Sequence, residues 1–147
     1  ETIENNVRRL IIDEMAVNPK YYEKMSELLD ALIEQRRQEA LDYKEYLRRI
    51  VELTRQAARR GGGNYYPAGI DTPGRQAVYD NLAQDGTLTL QLDQKIRAAK
   101  MDNWRGNRFK ERKVRNAIAS ALESQMRETD IPDVDTVLEL VKNQNEY

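Results

Sequence analysis

The sequence predicts an all-α protein, a helical bundle in which a long antiparallel helix hairpin is followed by several shorter helices. Apolar residues recur at three- and four-residue spacing in most segments of the chain, the mark of one buried helical face. Residues of the kind that cap helix starts stand just ahead of those rows. Residues 87–92 alternate as a strand would, but nothing else in the chain could pair with a lone strand.

Val7, Leu10, Ile11 and Met15 define a first amphipathic helix that stops before Asn18-Pro19. Pro19 suits the first position of a new helix, where its missing N–H would be unsatisfied in any case, and Asn18 suits the N-cap. Val17 and Tyr22 are spaced as a hydrophobic staple, and the row Tyr22, Met25, Leu28, Leu29, Leu32, Ile33 carries this helix to about Gln38. Asp42 with Glu45 forms a capping-box pattern, and Leu41 with Tyr46 repeats the staple spacing. The stripe Tyr43, Tyr46, Leu47, Ile50, Leu53, Ala57 then predicts a second long helix. So short a connection between two long amphipathic helices predicts an antiparallel hairpin. Arg59 and Arg60 complement the helix dipole at its end, and Gly61 to Gly63 terminate it.

Residues 61–74 are rich in glycine and proline around Tyr65, Tyr66, Pro67 and Ile70, which predicts a loop or hinge with an apolar anchor. Thr72-Pro73 should open a short helix containing Ala77, Val78 and Leu82, which Asp85-Gly86 breaks. Leu88, Leu92, Ile96 and Ala99 share one helical face, so residues 87–92 are assigned to helix. Residues 102–109 form a turn, followed by a helix burying Val114, Ile118, Ala121 and Leu122. Pro132 and Asp133 open a last helix with Val134, Val137, Leu138 and Val141 inside. The domain plan is thus a hairpin subdomain over 1–60, the loop over 61–74 and a smaller helical subdomain over 75–147, in one packed unit. A chain of 147 residues is long enough to bury roughly 70% of its unfolded surface without covalent staples.

The chain contains neither cysteine nor histidine, which excludes disulfides, Cys/His zinc sites, Ser-His-Asp triads and histidine acid–base chemistry. Carboxylate-only metal sites stay open. No apolar run approaches the length of a membrane span and the start is unlike a signal peptide, so a cytoplasmic protein with no membrane partner is expected. The first residue is not methionine, as expected of a piece of a longer chain. Charged residues make up 33% of the sequence at a net charge of −1, so their placement matters more than their sum. Residues 95–115 hold nine basic and two acidic side chains, whereas residues 116–147 hold two basic and seven acidic.

Three patterns could carry chemistry. The string LIIDE at 10–14 imitates a magnesium-binding Walker B strand, but no phosphate loop accompanies it, and Asp13 and Glu14 fit the wet face of the first helix. Asp80 followed by Asp93-Gln94-Lys95 has the form of a metal-dependent nuclease site, though on segments assigned to helix. In the basic segment, Trp104, Arg105, Arg108, Phe109, Lys110, Arg112 and Lys113 interleave cations with aromatics, as a surface contacting DNA phosphates or a protein partner would. The alternative is that the two aromatics pack in the core while the charges are solvated.

The strings NPKYYEKMSELLDALIEQRRQEA (18–40), YPAGIDTPGRQAVYDNL (66–82), DNWRGNRFKERKVRNAI (102–118) and LVKNQNEY (140–147) closely resemble the extreme C-terminal region of the R (restriction and motor) subunits of type I restriction-modification enzymes. Four dispersed matches in the same order cover nearly the whole chain. The resemblance implies a much longer parent subunit, an ATP- and magnesium-dependent DNA translocase and site-specific deoxyribonuclease whose catalytic motifs all lie elsewhere. For this segment it implies no catalytic, cofactor or metal residue, and attachment to the methyltransferase and specificity subunits. The expected contacts are the loop residues Tyr65, Tyr66, Pro67 and Ile70 or the basic turn. Double-stranded DNA is the other partner the basic segment would suit.

Overall fold

The computed structural model describes residues 2–58, 66–123 and 131–147, and the regular structure among them is α-helical, with no strand. The chain divides into two compact units, Glu1–Asn64 and Tyr65–Tyr147.

The first unit is a three-helix bundle of α1 (Thr2–Glu14), α2 (Pro19–Arg37) and α3 (Tyr43–Ala58). Asn18 caps α2 as expected, its side-chain oxygen accepting from the Tyr21 N–H at 3.3 Å with Pro19 in the first turn. The turn that ends α2 is a Schellman motif on a non-glycine residue. Glu39 takes φ +59°, while the N–H groups of Glu39 and Ala40 donate to Arg36 and Gln35 carbonyls at 3.1 and 2.9 Å. Two tyrosines show that α2 and α3 run antiparallel. The hydroxyls of Tyr21 and Tyr22, at the start of α2, donate to the carbonyls of Gln56 and Ala57, at the end of α3, at 2.5 and 2.9 Å. They thereby satisfy two acceptors that a helix C-terminus leaves open.

Val7, Ile11, Met25, Leu29, Ile50 and Leu53 fill this core, and α1 is tied to α2 by Arg8–Asp30 at 2.7 Å. Tyr43, placed in the buried stripe by its spacing, stands 59% exposed with Arg36 over its ring at 5.2 Å. It lies in the first turn of α3, where the stripe has not yet met its neighbours. Only half of the capping box forms: Asp42 accepts from the Glu45 N–H at 2.8 Å. The Glu45 carboxylate goes instead to Arg48 and Arg49, which hold its pKa down to about 2. Arg59, Arg60 and Gly61 to Gly63 lie outside the described residues.

The second unit contains α4 (Pro73–Asn81), α5 (Gly86–Ala99), α6 (Arg108–Leu122) and α7 (Val134–Lys142). Each begins with an oxygen-bearing cap, Thr72, Asp85, Asn107 and Asp133, accepting from a backbone N–H one turn in. Asp85-Gly86 therefore starts α5 as well as ending the segment before it. Residues 87–92 lie within α5, whose Leu88, Leu92 and Ile96 are buried as expected. α5 packs on α6, α6 on α7, and α4 on both α5 and α7. The shared core joins Val78, Leu82, Leu92, Val114, Ile118 and Val141 to Trp104 and Tyr147. The loop before α4 belongs to this unit, since Ile70 is 2% exposed and the Tyr66 hydroxyl donates to Asp80 at 2.7 Å.

Glu111 locks the turn before α6. It accepts from the Gly106 N–H at 2.8 Å and pairs with Lys142 at 3.2 Å, and these two contacts, in that order, depress its pKa. A depressed carboxylate contributes stability that is complete above the unfolded value of about 4.3 and is lost as pH falls through the folded one. Glu111→Gln is expected to cost about 1 kcal/mol at pH 7 and to make the second unit less acid-sensitive below pH ~4, as read by chemical denaturation at both pH values.

Candidate docking surface

The basic segment separates into a set engaged within the fold and an outward set. Trp104 is a core residue, 3% exposed, and its indole N–H has no hydrogen-bond partner among the described residues. The expectation that it contacts DNA or a partner is corrected here, because the turn 102–107 folds its ring under α6 into the apolar cluster. Arg105 is also committed. Its guanidinium stacks on Trp104 at 4.6 Å and donates to the carbonyls of Lys142, Gln144 and Tyr147 at 2.9, 2.5 and 2.8 Å. Lys110 donates to the Asp102 carbonyl at 2.7 Å.

The outward set comprises Arg108, Phe109, Arg112 and Lys113, all exposed on α6. Arg108 and Arg112 line a cleft of about 520 Å³ with Gly106, Glu111, Arg115, Asn116 and Leu138. Lys113 sits with its ammonium 5.1 Å from the centre of the Phe109 ring. Of the loop candidates, Tyr65 lies outside the described residues and Ile70 is buried, which removes Ile70 from any contact surface. Tyr66 and Pro67 are half-buried, Tyr66 making an edge contact with Tyr79 at 5.6 Å.

The carboxylates with a nuclease-like spacing do not converge. Asp80 accepts from Tyr66, and Lys95 donates to Ser120 at 2.9 Å. Asp93, 4% exposed, is held by Arg97 at 3.0 Å, by Arg75 at 3.2 Å and by the Tyr147 hydroxyl at 2.5 Å. Among the described residues no three acidic side chains are grouped to hold a metal ion. The LIIDE string lies in α1, with Ile11 buried and Ile12 64% exposed.

A network that the sequence did not reveal surrounds Asp93. Arg97 continues from Asp93 to Glu146 at 2.6 Å and stacks on the Tyr147 ring at 4.9 Å. Glu146 accepts from the Thr72 hydroxyl at 2.8 Å and from the Gly74 N–H at the start of α4. Burial, reinforced by the hydrogen bond to Asp93, pushes the Tyr147 phenol far above its ordinary range. Asp93 raises the Arg75 pKa, and at Arg97 burial acts downward but is outweighed by Asp93, Tyr147 and Glu146 together. The available signal was the apolar-to-polar break at Asp93 on the buried face of α5, a carboxylate that must be paired if buried.

No helix among the described residues is long and apolar enough to cross a membrane. No protein-family model matches the chain, and neither a curated protein nor a solved structure is detectably similar to it.

Proposed function

We propose that this chain is a helical docking region of a type I restriction R subunit, which attaches the ATP-driven translocase and nuclease to the methyltransferase core in the cytoplasm. One observation carries the reading. Three of the four strings that resemble such subunits, 66–82, 102–118 and 140–147, meet in the second unit through Thr72, Arg105, Glu146 and Tyr147. Segments far apart in sequence are thus tied into one scaffold, as expected of a unit kept for its shape. On this reading the segment contributes attachment while ATP, magnesium and catalysis belong to the rest of the parent.

Mixing the chain at micromolar concentration with the modification and specificity subunits of a type I restriction enzyme is expected to give a complex that co-elutes in size-exclusion chromatography. Separate elution at that concentration overturns the reading. A second reading, contact with duplex DNA, draws on the exposed cations of α6. Contacts from Arg108, Arg112 and Lys113 would give a log-log salt slope of roughly −2 to −3, at about −0.9 per phosphate. A flat salt response excludes it.

A further inference from the structure

We infer that the solvent face of α6 docks an acidic protein surface, with Phe109 as its apolar anchor and Arg108 and Arg112 as its charge contacts. This rests on the docking reading above and assigns the partner a chemistry. α6 buries Val114, Ile118, Ala121 and Leu122. With 3.6 residues per turn, Arg115, Arg108, Arg112, Asn116, Phe109 and Lys113 fall in that order on one continuous arc of about 160° on the other side. All six are exposed, and none is acidic. A helix face that is merely solvated commonly mixes the two signs of charge.

Of the acids beside this arc two are already engaged, and Glu123 stands apart at the C-cap of α6. Glu111 is held by the Gly106 N–H and Lys142, and Asp135 pairs with Arg115 at 3.0 Å. Arg108 and Arg112 have no ion-pair partner among the described residues, although both line the α6–α7 cleft. Phe109, the only phenylalanine in the chain, is 65% exposed, the most exposed large apolar side chain among the described residues. An exposed aromatic flanked by arginines is the composition of interface hot spots. Carboxylates and phosphates answer the guanidiniums equally well. The phenyl ring distinguishes them, because it calls for an apolar pocket, which a protein surface offers and a duplex backbone does not.

The test titrates the 147-residue chain against the modification and specificity subunits, comparing the native sequence with Phe109→Ala and with Arg108→Glu combined with Arg112→Glu. These side chains are exposed, so Trp104 fluorescence and the thermal midpoint should stay at the native values. Each variant is expected to bind at least about tenfold more weakly. Equal binding by native and variant chains overturns the α6 inference and leaves the docking reading standing. Failure of the native chain to bind overturns the docking reading and the inference with it. Charge reversal that abolishes binding to a short DNA duplex and spares the subunits assigns the face to nucleic acid, and a native dimer that the reversal dissociates assigns it to a second copy. Either outcome overturns the inference.

Discussion

Trp104→Ala is expected to destabilise the second unit by about 3–5 kcal/mol, the range for removing a large aromatic side chain from a packed core. The ring is buried among Leu92, Val114 and Val141 and also supports the Arg105 guanidinium, so its loss opens a cavity and loosens the contacts to the 142–147 backbone. The second unit's helices, followed by far-UV circular dichroism in urea, should then unfold at lower denaturant than in the native chain. Trp104→Phe is the informative companion. It loses less volume and removes a buried donor that has no partner, so it should cost clearly less than alanine. A variant at Trp104 that keeps native stability while losing affinity for DNA would show instead that the ring works at the surface.

Asp93→Ala is expected to have a comparable effect, about 3 kcal/mol, because removing one member of a buried charge cluster leaves the others uncompensated. Arg75 and Arg97 retain access to water, with side chains 27% and 35% exposed, which keeps the cost at the lower end. Trp104 is the only tryptophan, so its fluorescence during urea unfolding reports the second unit alone. The same cluster predicts an alkaline limit. The Tyr147 phenol has a raised pKa in the folded protein, so the stability linked to it is complete below the unfolded value near 10 and declines as pH rises above that. Tyr147→Phe should lower stability at pH 7 by about 1–2 kcal/mol through loss of the hydrogen bond to Asp93, and should flatten the decline between pH 10 and 11. An unchanged alkaline slope would separate Tyr147 from that loss.

What the sequence could disclose was local. Asn18-Pro19, Asp42, Thr72-Pro73 and Asp133 cap helices because a side-chain oxygen reaches an N–H two or three residues on, a relation fixed by the residues themselves. The rows Leu88, Leu92, Ile96 and Val114, Ile118, Ala121 were legible for the same reason. Contacts that depend on which helices become neighbours were not. Lys95 to Arg115 reads as one basic run, yet Arg97 and Arg105 are tied to acceptors 37 to 49 residues away in residues 142–147, and Arg97 also to Asp93 one turn back, while Arg108 and Arg112 have no such tie among the described residues. Tyr147, in the polar stretch NQNEY, is 4% exposed. Tyr43 fits a buried stripe by spacing and lies beyond the reach of the bundle that would cover it.

The span of these ties sets an order of events during synthesis. The first unit closes through pairs such as Tyr22 with Ala57, 35 residues apart, and its described core is complete once Ala57 has emerged. The second unit is bridged over 54 residues between Asp93 and Tyr147 and over 74 between Thr72 and Glu146. At ordinary translation speeds the interval between the two is roughly 5–20 s, and such distant pairings are also slow to form once available. Until residues 142–147 emerge, Asp93, Arg97 and Arg105 lack their partners there. The nascent chain therefore carries a finished bundle ahead of an open one, and the growing chain's exposure to proteases and to unwanted association is concentrated in the segment that residues 140–147 eventually seal.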